Sequence, residues 1–227
     1  MFFESGFVDL FRAQEWCPSV KLLTEAPQNV PAVGFFDLPA IFNVQPDTIP
    51  DPLPIVPTQG TLEQYDHIRT GMFPKSHIPT FGFCGVASAS ETPLCPRGVY
   101  RSLTEQQSDK ILRSTFGQIR WVNLQKDLGM DDLAGVIIRP EIRTWSDTAA
   151  IIANLDGVAT VDTAVAHLAA SMGKPTYVLL SGALDWKFGL DDTRCPWYSS
   201  MILFKNHGFG FNKAVDDLIS YLKESHA

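Results

Sequence analysis

Residues 155–186, LDGVATVDTAVAHLAASMGKPTYVLLSGALDW, constrain the fold more than any other part of the chain. Gly157–Val161 is a short apolar run rich in β-branched residues, the pattern of a strand buried on both faces. Asp162 and Thr163 supply an N-cap, and Ala164–Met172 carries the apolar residues and helix formers of a packed helix. Gly173 stands where a helix end takes a left-handed residue, and Pro175 blocks continuation. Thr176–Leu180 predicts the next buried strand. Two parallel strands joined by a crossover helix make a βαβ unit, which gathers ligands at the carboxyl ends of its strands. The Asp162–Thr163 turn lies at that end and is the first place to look for chemistry.

The rest of the chain extends this unit. Thr80–Gly85 reads as a strand running into a glycine turn. Ser102 opens a capped-helix signal, S-L-T-E, with Thr104 as the alternative cap, and the helix runs to Phe116. Arg120–Leu124 and Gly135–Ile138 are further strands, and Asp147 is expected to cap a helix ending at Asp156–Gly157. Met201–Phe204 predicts the last strand, and Phe211–Glu224 an amphipathic helix with Val215, Leu218, Ile219 and Leu222 on one face. This alternation is that of an α/β, Rossmann-like doubly wound parallel sheet. Before it, Gly6–Glu15 predicts a short helix, Val20–Leu23 a strand, Ala40–Val44 a helical turn and Leu62–Arg69 a short helix. Residues 46–57, PDTIPDPLPIVP, hold five prolines in twelve positions. So many fixed φ angles and missing donors predict an extended linker. The expected division is 1–57, an incomplete first lobe with its linker, and 58–227, a complete Rossmann-like lobe.

Charge and cysteine usage narrow the partners. Net charge is −7 and the Lys and Arg residues are scattered, which argues against nucleic acid while leaving room for a local phosphate pocket. Cys17, Cys84, Cys95 and Cys195 are far apart, with no C-x-x-C pair and no His at ligand spacing. Reduced thiols in a cytoplasmic protein are expected, with no zinc site. The amino terminus contains acids and lacks the basic and apolar regions of a signal peptide, and no apolar run is long enough for a transmembrane segment. Absence of G-x-S-x-G, Walker-type and G-x-G-x-x-G runs removes support for serine hydrolase or nucleotide hydrolase chemistry.

Several pieces together resemble the carboxyl-terminal lobe of family 9 glycosyltransferases, particularly the heptosyltransferase-like domains often fused to tetratricopeptide repeats. The family pattern runs through a helix ending in L-D, a strand, D-T-x-x-x-H-L-A-x-x-x-G-K-P, a strand and D-W-R-W. This chain has Asp156, Asp162-Thr163, His167-Leu168-Ala169, Gly173-Lys174-Pro175 and Asp185-Trp186, with Lys187 in place of the usual Arg and Phe188 in place of the usual Trp. Gly82–Ser88, Arg101-Ser102-Leu103, Asn123–Lys126 and the segment FFDLPAIFNVQPDTIP are similar to earlier family elements, so the resemblance covers about Val33 to the end. Cys84-Gly85-Val86 departs from the family's usual tryptophan and second glycine.

The resemblance implies a GT-B-type arrangement of two facing Rossmann-like lobes. Residues 58–227 would bind the nucleotide-sugar donor, and 1–57 would be a remnant of the acceptor-side lobe. It further implies sugar transfer to a hydroxyl of a glycan, lipid-linked or protein acceptor, without metal or other cofactor. A helix amino terminus and basic side chains would hold the leaving diphosphate. In that setting Thr163 and Ala164 offer N–H groups to a phosphate. Asp162 accepts from sugar hydroxyls or fixes the turn, and His167 donates to a phosphate or holds Asp162. Lys126 pairs with a phosphate, Gln125 serves the nucleotide, and Arg101 clamps the diphosphate. Gly85 and Ser88 let backbone approach it. Each has a plainer reading: an N-cap for Asp162-Thr163, a satisfied core histidine for His167, surface charges for Lys126 and Arg101. Asp185-Trp186 reads as structural, and Cys84 as a small buried residue. The acids Glu4, Asp9 and Glu15 match no motif, so no catalytic base is assigned. A transferase and a catalytically inactive nucleotide-, sugar- or protein-binding descendant are both open readings.

Overall fold

The computed structural model describes residues 2–3, 5–17, 21–22, 37–70, 78–87, 101–125, 136–182, 186–189 and 193–226. Its centre is a seven-stranded sheet built from β3 (Thr80–Cys84), β4 (Arg120–Asn123), β5 (Ile137–Ile138), β6 (Gly157–Val161), β7 (Thr176–Leu180), β8 (Arg194–Cys195) and β9 (Tyr198–Lys205). The order across the sheet is β5-β4-β3-β6-β7-β9-β8. Every pairing is parallel except the short edge strand β8, which runs antiparallel to β9. A separate two-stranded parallel ladder joins β1 (Phe2–Phe3) to β2 (Lys21–Leu22).

Burial explains the continuous apolar runs. All five residues of β3, β6 and β7 are buried, as a sheet covered on both faces requires. The alternation along each strand sorts the two faces. Phe81, Phe83, Trp121, Ala159, Val161, Tyr177 and Leu179 meet Ile111, Leu112, Val215, Leu218 and Leu222, which belong to α5 (Glu105–Ser114) and α8 (Asn212–Ser225). On the other face Cys84, Val122 and Val158 meet Ile151, Ile152, Val165 and Leu168, from α6 (Trp145–Ala153) and α7 (Ala164–Ser171). The sheet is doubly wound. Among the described residues, no helix is long and apolar enough to cross a membrane.

One helix start settles between the two caps the sequence offers, and another differs from the sequence reading. α5 is capped by Thr104, whose Oγ1 accepts from Gln107 N while the Gln107 side chain accepts from Thr104 N. Ser102 instead contacts the Ala87 backbone. α6 is capped by Thr144, and Asp147 is the reciprocal residue of a capping box, accepting from Thr144 N at 2.8 Å. The helix therefore begins before Asp147. At the other end of α6, Lys174 Nζ donates to Ala153 O and Leu155 O at 2.8 and 2.7 Å. That cation satisfies carbonyls which every helix leaves open at its carboxyl end.

The earlier segment wraps this lobe. Among the described residues, four short helices precede the sheet: α1 (Ser5–Arg12), α2 (Leu38–Ile41), α3 (Gln59–Tyr65) and α4 (His67–Thr70). Phe7 stacks on Trp145 at 4.7 Å, and Leu10 joins the core beneath α6. The Gln14 amide pairs with Val56 through N and O, and Trp16 Nε1 donates to Pro54 O. These bonds hold the extended proline tract in place.

Candidate functional site

The chain lays down β3, β4 and β5 in one direction across the sheet, then returns and lays down β6, β7 and β9 in the other. The reversal falls between β3 and β6. Loops leaving the two strands there must part, and the crevice they leave lies at the carboxyl ends. Asp162 follows β6 directly, and Arg101 precedes α5 on the connection that leaves β3.

These two residues meet across the crevice. Arg101 Nη1 donates to Asp162 Oδ2 at 3.2 Å and to Asp162 O at 3.3 Å. Lys187 reaches the other carboxylate oxygen, with Nζ 3.0 Å from Oδ1. His167 Nε2 stands 3.9 Å from the same oxygen. The Asp162 side chain is only 8% exposed, while Lys187 and Arg101 retain 18% and 34%. One enclosed carboxylate thus holds two permanent cations that still present a face to solvent. Arg101 Nε is buried without a hydrogen-bond partner, a donor left open beside the crevice.

The helix start adds positive character. Thr163 is the N-cap residue of α7, with extended backbone, but its side chain makes no capping bond. The hydroxyls of Thr160 and Thr163 share a hydrogen bond at 3.1 Å, and Thr160 Oγ1 also lies 3.0 Å from Val161 O. The Thr163 side chain is thus engaged with Thr160 and makes no bond to the first turn. Ala166 N donates to Thr163 O at 3.1 Å, while the N–H groups of Ala164 and Val165 receive no side-chain cap from Thr163 and lie at the positive end of the helix dipole.

His167 holds the cluster from below. Its Nδ1 lies 3.3 Å from Tyr198 Oη, and its ring stacks over Phe188 at 6.2 Å. Burial raises the Tyr198 pKa, so the phenol stays protonated at neutral pH. This geometry places His167 as a support for Asp162 between two aromatic side chains.

The remaining expected site residues are arranged differently. Gln125 Nε2 donates to Val86 O and its Oε1 accepts from Val86 N, so the amide braces the loop after β3. Gly85 is buried, and a Cβ there would sit 3.0 Å from Phe83 and Ser108 atoms. Packing accounts for that glycine. Cys84 is buried and its thiol pKa is raised by burial, only partly offset by the neighbouring Thr160 and Thr163 hydroxyls. It is a packing residue. Lys126, Ser88, Cys95 and Asp185 lie outside the described residues. Among the described residues, no three His, Cys, Asp or Glu side chains converge as metal ligands.

Two members of the cluster were not singled out by the sequence reading. Lys187 carried a signal, its place as the Arg substitute in the D-W-R-W tract. Tyr198 carried none, because its partner lies 31 residues earlier.

Neither a protein-family model nor a curated protein matches the sequence. Solved structures do match. The crystal structure of the glycosyl transferase family 9 protein from Veillonella parvula superposes on 79% of this chain and 55% of its own length, with a TM-score of 0.57 at 14% identity. The chain shares the fold of about half of that structure. E. coli ADP-heptose LPS heptosyltransferase II matches 80% of this chain and 57% of its own, with a TM-score of 0.48 and 14% identity. The chain spans little more than half the length of these two structures. In this shared fold, the Asp162 cluster occupies the switch-point crevice.

Proposed function

We propose that the crevice binds the diphosphate of a nucleotide-sugar, and that this lobe serves as the donor side of a glycosyltransferase acting on a hydroxyl acceptor. One observation carries the reading: Arg101 and Lys187 converge on a single enclosed carboxylate beside the amino terminus of α7. Preorganised cations and backbone dipoles suit a reaction in which negative charge grows on a leaving diphosphate. The guanidinium and the ammonium supply that charge themselves, so the reading calls for no divalent ion. Asp162 keeps both cations aimed at the crevice and offers its oxygens to sugar hydroxyls. The fold shared with a glycosyl transferase supports the assignment to sugar chemistry.

The test is a thermal-shift panel of ADP, UDP, GDP and CDP, each with excess EDTA, followed by turnover of the matching nucleotide-sugars with hydroxyl acceptors. At about 100 times Kd a ligand adds roughly 2.7 kcal/mol to stability. For a chain of this size that is a shift of roughly 5–10 °C. A well-folded protein that no nucleoside diphosphate stabilises sinks the reading.

A further inference from the structure

Lys187 acts from a 3₁₀ turn, Trp186–Phe188, that belongs to no long element. A lysine on such a turn has four flexible bonds and a mobile base unless something fixes the backbone. The end of β9 does this. Lys205 Nζ donates to Phe188 O at 3.2 Å and to Gly189 O at 3.1 Å. These are the carbonyls at the exit of the turn, where Gly189 takes a φ of +66°. The start of the same connection is tied to the same region. Asn206 N donates to Leu180 O at 2.9 Å, and Gly182 N to Gly208 O at 3.0 Å. A Cβ on Gly182 would lie 2.5 Å from Gly208 O, so only glycine permits this approach. The start of the connection after β7 and its 3₁₀ turn are thus fastened to β9 and the loop that follows it.

We propose that Lys205 is a positioning residue for the donor site, holding the 3₁₀ turn so that Lys187 is delivered to Asp162 and the crevice. The inference rests on the diphosphate reading above. Lys205 does not itself act on ligand, because its ammonium is engaged with two main-chain carbonyls away from Asp162. The two lysines share one neighbourhood: both lower the pKa of the buried Cys195 thiol, although burial outweighs them and the net shift is upward. The competing account is that Phe188, fully buried against Met201 and Leu203, pins the turn unaided.

A double-mutant cycle of Lys187→Met and Lys205→Met separates the two, read by titration with inorganic pyrophosphate and by hydrogen exchange of amides 186–189. Lys205→Met is expected to speed exchange of that turn and to weaken pyrophosphate binding by about tenfold, the size of one lost charge-assisted contact. On the Lys187→Met background it should weaken binding no further, and Lys205→Arg should restore it. Unchanged exchange and unchanged affinity in Lys205→Met overturn the proposal in favour of Phe188. Losses that multiply in the double variant overturn it in favour of an independent role. If the wild type binds no pyrophosphate, the diphosphate reading fails, and accelerated exchange in Lys205→Met still decides whether Lys205 holds the turn.

Discussion

Replacing Asp162 by Asn tests the electrostatic core of the site directly. The substitution keeps the shape and one acceptor oxygen but removes the charge facing Lys187 at 3.0 Å and Arg101 at 3.2 Å. A hydrogen bond between charged groups contributes about 1.5–3 kcal/mol when well enclosed. The Lys187 pair, at 18% and 8% exposure, approaches that range. The Arg101 pair is about a third exposed on the cation side, so solvent reduces it toward the roughly 0–1 kcal/mol of a surface pair. Asn retains part of each contact, and the expected loss is about 2 kcal/mol. For a chain of this length that lowers Tm by roughly 4–8 °C. The second half of the experiment is specific to an anion site. With the carboxylate charge gone, two cations are left unneutralised, so pyrophosphate should raise the Tm of Asp162→Asn by more degrees than that of the wild type. Calorimetry with and without pyrophosphate reads both effects. An unchanged Tm in the absence of anion, or a loss that pyrophosphate does not narrow, refutes the reasoning.

Two other substitutions probe what surrounds the site. Lys174→Met leaves the Ala153 and Leu155 carbonyls without their ammonium donor and should cost about 1–3 kcal/mol. Denaturant titration should show that loss with nucleoside diphosphate affinity unchanged, and the reverse pattern would place this lysine in the site. Tyr177, 6% exposed in the aromatic layer under α8, has its pKa raised to about 12, first by burial and then by Tyr221. The proton is held more tightly in the folded state, so this stabilisation is complete below about pH 10 and is lost as pH rises through 12. Tyr177→Phe should abolish roughly 2–3 kcal/mol of the alkaline fall in stability between those limits, measured as the difference between the two unfolding curves. Parallel curves for the two proteins would refute the assignment.

The strands and helices were legible because their signals are local. Gly157–Val161 and Thr176–Leu180 are buried along their whole length, as unbroken apolar runs imply. Gly173 has a φ of +72°, as the helix end demanded. Even the misplaced cap of α6 was local, since Thr144-Trp145-Ser146-Asp147 is itself a capping-box pattern and the threonine, not the aspartate, opens it. The turn at Asp162 could be found by the same means, because a residue just after a buried strand and before a helix stands at a carboxyl end whatever the rest of the chain does. What surrounds that turn could not. Arg101 meets Asp162 across 61 residues, and Gln125 turns back to Val86 across 39, because β3 and β6 are neighbours while β4 and β5 lie outside them. Spacing along a chain carries no such information; strand order does. A turn alone therefore points to the crevice without saying which side chains meet there. In the folded chain Gln125 is bonded to Val86 and the Thr163 hydroxyl to Thr160, while Lys187 stands at Asp162 on a turn whose carbonyls accept from Lys205 at the end of β9.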